Sequence, residues 1–403
     1  MLFPSGVEYT TEMRVLGLLS GTSMDGIDVA AAELDLAGDT VELVPLGTTT
    51  VDYPPPLRER LVAALAPGGC DAAELCRLDT EVGECFGAAA RLAGDAELVA
   101  SLGQTLHHWV RDGRARGTLQ IGRPAWIAEA TGLPVVADLR ARDIAAGGQG
   151  APLAAVLDAL WLADEPGTTV ALNIGGIANI TVVGGAAYDT GPGNALIDLA
   201  AARATGTAQD TGGRLAAAGA VRADLLDVLL ADPYYRRPAP KSTGKEHFDA
   251  DHLARALDEV DPVRDVDLLA TLTELTAVTI ARACRAEGAT KVVASGGGVR
   301  NPVLLRALRA HLGVPLVVSD ELGLPSDGKE AYLTALLGFL TWNGVPGNTP
   351  STTGAAGPRL LGSITPGSGP LRLPEPATRR PRRLRVRPGH SPEEASCVPS
   401  TSW

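Results

Sequence analysis

The chain has 403 residues, of which 45% are hydrophobic and 20% charged, a composition typical of a globular protein long enough for two domains. Its formal net charge of −12 disfavours a nucleic-acid-binding protein, because such a protein would carry a basic surface. The five cysteines form no Cys-x-x-Cys pair, so neither a disulfide framework nor a cysteine zinc site is indicated. No signal-peptide pattern and no apolar run of about 18 residues occurs, so we expect a cytoplasmic protein with no membrane span.

The first half reads as strands and helices in alternation. Residues 13–36 predict two apolar strands joined by the glycine-rich turn SGTSMDG, and residues 41–53 add a third strand. The other elements predicted here are helices over 55–66 and 71–93, a strand over 97–103, a strand end, turn and helix over 119–132, a strand over 134–139, and a helix over 152–164.

A second unit with the same opening begins near residue 168. Residues 169–185 again predict strand, glycine turn and strand. There follow a strand, turn and helix over 186–206, helices over 213–231, 249–258 and 271–288, a strand, turn and helix over 290–313, a strand over 314–320, and a helix over 328–344. This repeated order predicts an α/β protein of two domains, each with a mixed sheet, facing each other across a cleft.

The predicted domains span residues 13–167 and 168–345. Residues 346–369 are expected to pack back on the core. Residues 370–403 read as a disordered tail, rich in proline and carrying seven arginines against three glutamates.

The segment GLLSGTSMDGID, residues 17–28, is a candidate phosphate-binding loop. Gly21 and Gly26 allow a sharp turn and a close approach of the backbone to a ligand. Thr22 and Ser23 offer hydroxyl groups, and the amides of residues 21–24 can point into one concavity. An ordinary hairpin turn would account for the same residues.

The segment YDTGPGN, residues 188–194, places an acid before a turn and a helix. Asp189 ends a short strand, and the amides around Gly191 and Gly193 at the helix start could hold an anion. A carboxylate beside a bound phosphate or sugar is suited to act as a general base. The alternative is a structural turn or cap aspartate.

Two further segments and two single residues are candidate ligand contacts. Gly296, Gly297 and Gly298 follow a buried strand and leave a flat backbone face for an adenine ring or ribose. Arg140, Arg142 and Asp143 come after a strand end, where the planar forks of the arginines could bind an acidic sugar. Two single residues, Gln104 after a strand and Glu330 at a helix start, could reach into the same cleft. Each of these segments has a purely structural alternative, namely a loose connector, a surface ion-pair cluster or a helix-stabilising acid.

Taken together, these motifs resemble the anhydro-N-acetylmuramic acid kinase family. GLLSGTSMDGID, GQTLHH, RARDIAAGGQGAPL, NIGGIANIT, YDTGPGN, KSTGKEHF and SGGGVRNP occur in this order between residues 17 and 302. The resemblance covers roughly residues 14–365. It implies the two-domain fold shared with actin and hexokinase, and a reaction that uses ATP and Mg²⁺ to open 1,6-anhydro-N-acetylmuramic acid with water and phosphorylate its O6 during peptidoglycan recycling.

The resemblance also implies roles for residues. Asp189 matches the catalytic aspartate that activates the attacking water, and Gly296–Gly298 match adenosine-side glycines. The sugar contacts are Arg140, Arg142 and Glu330. The ATP phosphate loop comprises Gly21, Thr22, Ser23, Met24, Asp25, Gly26, Ile27 and Asp28. No magnesium ligand is assigned, and a homodimer is an expectation from the family.

This sequence departs from the family pattern at Leu102 and Arg123, and from many actin-fold ATPases at Ser20. Many actin-fold ATPases carry an aspartate at the position of Ser20, and the family more often has a polar residue at Leu102 and an aspartate at Arg123. Two other functions stay open on the sequence alone: a kinase for another amino or acidic sugar, and a non-catalytic actin-like nucleotide-binding protein.

Overall fold

The computed structural model describes residues 12–21, 24–65, 68–239 and 241–388. The chain divides into two compact units. The first unit joins Met1–Trp161 to Glu330–Trp403, and the second is Leu162–Lys329. The expectation of two α/β domains with mixed sheets is confirmed, since each unit contains one such sheet.

The first unit is built on an eight-stranded mixed sheet. Its strands are β1 (Met13–Ser20), β2 (Gly26–Ala37), β3 (Thr40–Asp52), β4 (Leu98–Arg111), β5 (Arg114–Ile121), β6 (Val135–Ala137), β12 (Ser363–Thr365) and β13 (Arg383–Val386). The order is β12-β6-β4-β1-β2-β3-β13, with β5 paired to β4. Antiparallel hairpins join β1, β2 and β3, whereas β4 runs parallel to β1 and β6 parallel to β4.

Helices cover this sheet and close its core. They are α1 (Pro55–Ala63), α2 (Ala72–Leu92), α3 (Pro124–Thr131), α4 (Ala141–Ala145), α5 (Ala154–Trp161), α12 (Lys329–Trp342, from Glu330 onward) and α13 (Pro350–Thr353). One apolar cluster packs strand residues such as Leu16 and Val99 against Phe86 of α2 and Ile127 of α3. Burial of such side chains contributes about 1.5–3 kcal/mol each.

The second unit repeats the same strand order with five strands. They are β7 (Thr169–Ile174), β8 (Ile177–Val182), β9 (Ala187–Pro192), β10 (Lys291–Ser295) and β11 (Leu316–Val318), in the order β11-β10-β7-β8-β9. Here too the first three strands are antiparallel and the last two are parallel to the first. The helices are α6 (Ala195–Thr205), α7 (Arg214–Ala217), α8 (Ala223–Leu230), α9 (Ala250–Asp258), α10 (Asp265–Ala286) and α11 (Pro302–Leu312). The coarse duplication read from the sequence is therefore a duplication of sheet topology.

The sequence-based boundary at residue 345 is wrong, because α12 packs on the first sheet. A Cβ on Gly17 of β1 would overlap the backbone of α12 at Ala331 and Ala335, and a Cβ on Gly338 would overlap Ala100 of β4. Small residues on both elements thus let the helix backbone approach the strands closely. The helix follows elements of the second unit in sequence but returns to the first unit in space.

The expectation of a disordered tail is wrong for Arg383–Val386. This segment forms β13, which lies parallel to β3 with Leu384 opposite Val41. Leu384 is buried, and Arg387 forms an ion pair with Glu42. The strand covers what would otherwise be an exposed sheet edge, which explains why an arginine-rich segment with alternating Leu and Val orders here. Residues 389–403 of the predicted tail lie outside the described residues.

Two smaller differences concern element length. Strands β4 and β5 form a hairpin of 14 and 8 residues where the sequence predicted a short strand over 97–103. The helix predicted over 213–231 is broken into α7 and α8. Its second part begins after Gly219, whose position against Val266 leaves no room for a Cβ. Among the described residues, no helix is long and apolar enough to cross a membrane.

We expect Gly17→Ala to lower the free energy of unfolding by about 1–3 kcal/mol, because its methyl group would push α12 away from β1. Urea unfolding followed by circular dichroism measures the change. Gly369→Ala is the control: its Cβ would meet nothing within 4 Å, so we expect a change within about 0.5 kcal/mol. Equal effects of the two substitutions would contradict the close packing of α12 on β1.

Candidate active site

The carboxylate of Asp189 lies half-buried on β9, inside a shell of hydrogen bonds from the segment 241–243. Its Oδ2 accepts the backbone N–H of Thr243 at 2.9 Å. Its own N–H donates to the Lys241 carbonyl at 3.1 Å, and the Tyr234 hydroxyl donates to its carbonyl at 2.7 Å. The backbone on both sides of the carboxylate is thereby fixed, and its orientation is set before any ligand binds.

Burial raises the pKa of Asp189 above its ordinary value. Hydrogen bonds from the Thr243 N–H and the Ser242 side chain stabilise the charge and oppose the shift, whereas the negative charge of Glu246 adds to it. The net increase in pKa makes the carboxylate a stronger proton acceptor than an exposed aspartate. This property suits a general base.

The turn after Asp189 differs from the expected anion site. The N–H of Gly193 donates to Gly176 O at 2.8 Å, and the N–H of Asn194 donates to Gly175 O at 2.9 Å. A Cβ on Gly193 would overlap the same Gly175 carbonyl, and Gly191 adopts φ +147° against the ring of Tyr235. These two glycines are therefore required by packing. In this conformation the Gly193 N–H already donates to Gly176 O, and the contact of these two glycines with ATP stays a prediction.

The candidate phosphate loop is only partly described, because Thr22 and Ser23 lie outside the described residues. The N–H of Met24 closes a turn on the Gly21 carbonyl at 3.2 Å, with Met24 at φ +52°. A positive φ is uncommon for a residue other than glycine and marks a locally strained backbone of the kind found at ligand sites. The side chain of Asp25 is exposed at the end of this turn.

The other residues of this loop pack in the first core or contact strand β3. The side chains of Met24 and Ile27 are buried in the first core, so only their backbones could contact a ligand. Asp28 accepts a hydrogen bond from Thr50 on β3 at 2.7 Å. A Cβ on Gly26 would lie 2.7 Å from the Val51 carbonyl oxygen, so the close approach at this glycine is to β3.

Two buried polar side chains donate hydrogen bonds to backbone carbonyls at the two ends of the candidate phosphate loop. The Ser20 hydroxyl donates to Gly26 O at 2.7 Å, which gives this side chain a structural role. Gln104, fully buried, donates through Nε2 to Gly21 O at 3.2 Å. Its Oε1 is buried without a hydrogen-bond partner within the described part of the chain. Gln104 thus anchors the Gly21 end of the candidate phosphate loop, and its contact with a ligand stays a prediction.

The charged residues after β6, namely Arg140, Arg142 and Asp143, differ in their surroundings. Asp143 is fully buried and its two oxygens accept hydrogen bonds from Gly150 N, Asn348 Nδ2 and Thr353 Oγ1, each at 2.8 Å. These bonds show that the Asp143 carboxylate ties the glycine-rich loop to the segment 348–353. Its contact with the sugar stays a prediction. Unpaired buried charges are costly, and these hydrogen bonds offset that cost.

Arg140 is placed differently. Its Nη1 donates to Gly150 O at 2.7 Å, while its Nε is buried and has no partner among the described residues. Burial lowers the pKa of Arg140 and the negative charge of Glu330 opposes the shift, which places these two predicted sugar contacts near each other. Arg142 is exposed on α4. Asp138, just before them, adopts φ +59°. The backbone strain at Asp138 was not visible in the sequence.

The three glycines after β10 are not equivalent. A Cβ on Gly296 would overlap Asn173, and one on Gly298 would overlap Ile174, so both are needed for packing on β7. Gly297 is exposed, and a Cβ there would meet only the end of the Arg300 side chain at 3.4 Å. Gly297 is thus the position at which a planar ring could contact the backbone.

Comparison with known proteins identifies the family. The family model for anhydro-N-acetylmuramic acid kinase matches residues 13–367. The chain is 57% identical over 387 residues to the anhydro-N-acetylmuramic acid kinase of Streptomyces coelicolor, covering 93% of this chain and 99% of the relative. It is 50% identical over 394 residues to that of Rhodococcus erythropolis, with shares of 93% and 99%. The chain belongs to the anhydro-N-acetylmuramic acid kinase family.

Among solved structures, this family member is similar to an ROK family glucokinase from Streptomyces griseus in complex with glucose and AMPPNP. The identity is 14%, the TM-score is 0.35, and the match covers 80% of this chain and 97% of the other. An ROK hexokinase from Thermus thermophilus matches at 21% identity with a TM-score of 0.32, covering 80% and 98%.

Within this kinase family member, the residues that sequence reasoning missed are those that hold Asp189. Thr243 and Ser242 belong to KSTGKEHF, which the sequence singled out without a role, and Tyr234 belongs to no motif. The only signal for the first two was their membership in a recognisable segment. Tyr234 becomes visible only when the turn at Pro233–Arg236 is folded against β9.

We expect Asp189→Asn to raise the free energy of unfolding at neutral pH. Because burial raises the pKa of Asp189, its ionised form costs stability above that pKa, and the cost disappears below the unfolded pKa of about 3.9. Asparagine keeps an oxygen that accepts the Thr243 N–H. Urea unfolding of the two proteins at several pH values measures the difference, with the exposed Asp258→Asn as control. A difference that grows as the pH falls would contradict the raised pKa.

Proposed function

We propose that this chain uses ATP to convert 1,6-anhydro-N-acetylmuramic acid into N-acetylmuramic acid 6-phosphate in the recycling of peptidoglycan. It is thus a phosphotransferase with an alcohol group as acceptor, the activity named for its relatives. The observation that carries the residue-level proposal is Asp189. Its carboxylate is half-buried, its position is fixed by hydrogen bonds from Thr243 and Tyr234, and its pKa is raised. These properties suit a general base that accepts one proton.

In the proposed reaction, Asp189 takes a proton from a water molecule as the water attacks the anomeric carbon. The bond between C1 and O6 breaks, and O6 becomes the nucleophile toward the γ-phosphate of ATP. One base on the water therefore serves both the hydrolysis and the phosphoryl transfer. The enzyme's further task is to position the reactants and stabilise negative charge on the phosphates.

We assign ATP binding to the backbone of Gly21–Gly26 and the exposed face at Gly297. The turn closed by Met24 supports the first assignment, and the lack of crowding at Gly297 supports the second. When bound, Mg²⁺ would neutralise phosphate charge, and no described residue is assigned as its ligand. Since ATP is a cytoplasmic substrate, the proposal places the enzyme in the cytoplasm.

We assign the acidic sugar to Arg140 and Glu330. The buried Nε of Arg140 lacks a partner, and a ligand carboxylate or carbonyl oxygen would satisfy it. Glu330 offers an acceptor for sugar hydroxyl groups. The sugar contact of Arg142, whose side chain is exposed on α4, stays a prediction. A homodimer also stays a prediction, which light scattering on the purified protein decides.

The decisive assay supplies ATP with 1,6-anhydro-N-acetylmuramic acid and identifies the product by mass spectrometry. We expect a product that has gained both one water and one phosphoryl group. N-acetylglucosamine and simple hexoses serve as control substrates and should give little product. A phosphorylated sugar that retains the anhydro bridge would overturn the proposed water attack.

We expect Asp189→Asn to lower kcat by about 10²–10⁴-fold, because the water loses its base while the shape of the site is kept. Affinity for ATP, measured by calorimetry, should stay near that of the wild type. Asp258→Asn makes the same change at an exposed position of the same unit and should leave kcat unchanged. Near-native turnover by Asp189→Asn would show that another group is the base.

A further inference from the structure

Three side chains of the second unit converge at the edge of the segment that holds Asp189. One oxygen or nitrogen each from Asp232, His247 and His252 lies within 4.8 Å of the others. Asp232 precedes the turn Pro233–Arg236, His247 belongs to KSTGKEHF, and His252 lies in the first turn of α9. None of them takes part in the proposed kinase reaction, so the cluster has no function yet.

Hydrogen bonding accounts for only part of this cluster. Asp232 Oδ1 accepts the Tyr234 N–H at 2.7 Å, which turns Oδ2 toward both imidazole rings. His247 Nε2 lies 3.0 Å from that Oδ2. His252 Nδ1 lies 3.7 Å from it, too far for a hydrogen bond, and His252 Nε2 is buried with no partner among the described residues. Neither ring nitrogen of His252 thus makes a hydrogen bond among the described residues, and Nδ1 is the one that faces Asp232 Oδ2.

The spacing of these atoms fits a metal ion better. Bonds of about 2.0–2.1 Å from zinc to nitrogen or oxygen put neighbouring ligands of a tetrahedral site about 3.3–3.4 Å apart. The observed separations of 3.0 and 3.7 Å lie on either side of that value. The third pair, between the two histidine nitrogens, lies within 4.8 Å, so rotation of the imidazole rings would bring all three atoms into contact with one ion.

The surroundings also favour a site that exists before the ion arrives. The buried ring of Phe248 packs edge-on against both imidazoles, with centroids 4.5 Å from His247 and 5.3 Å from His252. It limits the rotation of both rings. The side chains of Asp232 and His252 are 11% and 12% exposed and that of His247 is 35% exposed, which leaves one side open for entry.

We propose that Asp232, His247 and His252 form a binding site for one divalent transition-metal ion of the zinc class. Two imidazole nitrogens and one carboxylate oxygen suit Zn²⁺, whereas Mg²⁺ and Ca²⁺ prefer sites made of oxygen. The three protein ligands leave a fourth position for water. The ion would tie the Pro233–Arg236 turn to residues 241–248 and so stiffen the backbone that fixes Asp189. The site does not depend on the identity of the sugar.

The test uses full-length, tag-free protein that has been treated with a chelator. Titration with Zn²⁺ against a competing chromophoric chelator should give one ion bound per chain, and millimolar Mg²⁺ should not displace it. Loss of a ligand in His247→Gln or His252→Gln should weaken binding by at least about 10–100-fold, the loss typical of even an outer-shell partner. Absence of stoichiometric binding to the wild type would overturn the proposal.

His311→Gln is the matched control. His311 Nε2 pairs with Glu274 at 2.6 Å, and this pair belongs to no metal-ligand cluster among the described residues. The substitution therefore removes a histidine from a His–carboxylate pair without touching the proposed site. We expect wild-type affinity for Zn²⁺. Equal weakening in this control and in His247→Gln would also overturn the site.

A second measurement needs no variant and therefore does not depend on how well the variants fold. Co²⁺ bound to the wild type in a four-coordinate site with nitrogen and oxygen ligands should give an intense visible absorption that stoichiometric Zn²⁺ abolishes. A spectrum identical to that of Co²⁺ in buffer would contradict a formed site.

Discussion

The chemistry proposed for this kinase depends on one constraint: a carboxylate that is partly removed from water without being neutralised by a cation. Asp189 meets it because its partners are a backbone N–H, a hydroxyl group and the negative charge of Glu246. An arginine or lysine in direct contact would lower the pKa of Asp189 and weaken it as a base. The segment 241–243 supplies orientation, and its one cation, the Lys241 ammonium, donates to the carbonyl oxygens of Tyr234 and Tyr235 rather than to the carboxylate.

This constraint explains the local structure around β9. In the turn after Asp189, the backbone N–H groups of Gly193 and Asn194 donate hydrogen bonds to the carbonyls of residues 175–176. Contacts within the second unit therefore fix the end of the strand. On the other side, Tyr234 holds the Asp189 carbonyl. Neither set of contacts requires a ligand. The proposed base is thus positioned by the fold itself, as efficient general-base catalysis requires.

Much of the fold follows from local sequence patterns. Apolar strands bounded by glycine turns marked β1, β2, β7 and β8, and the same pattern in both halves marked the duplication. Local patterns could not show that two later segments of the chain, α12 and β13, pack on the first unit. The assignment of α12 to the first unit depends on the absence of a side chain at Gly17 and Gly338, and β13 depends on an unfilled edge at β3. Both are decided by partners far away in sequence.

The site shows the same division. Asp189 was identified by its position after a strand and by the family motif, and in the structure burial raises the pKa of its carboxyl group. Asp143 resembled a ligand contact because it lies beside two arginines, yet three internal hydrogen bonds bury it. A sequence gives the types of charged residues in a loop, but which of them turns inward depends on distant donors such as Asn348.

The central claim is best tested by observing the protonation of Asp189 itself. In protein labelled with ¹³C at aspartate carboxyl groups, the resonance lost in Asp189→Asn can be followed by NMR across a pH series. We expect it to titrate above the ordinary aspartate value of about 3.9 and together with the acidic limb of kcat/KM. Titration at or below that value, or well apart from the activity profile, would contradict the account.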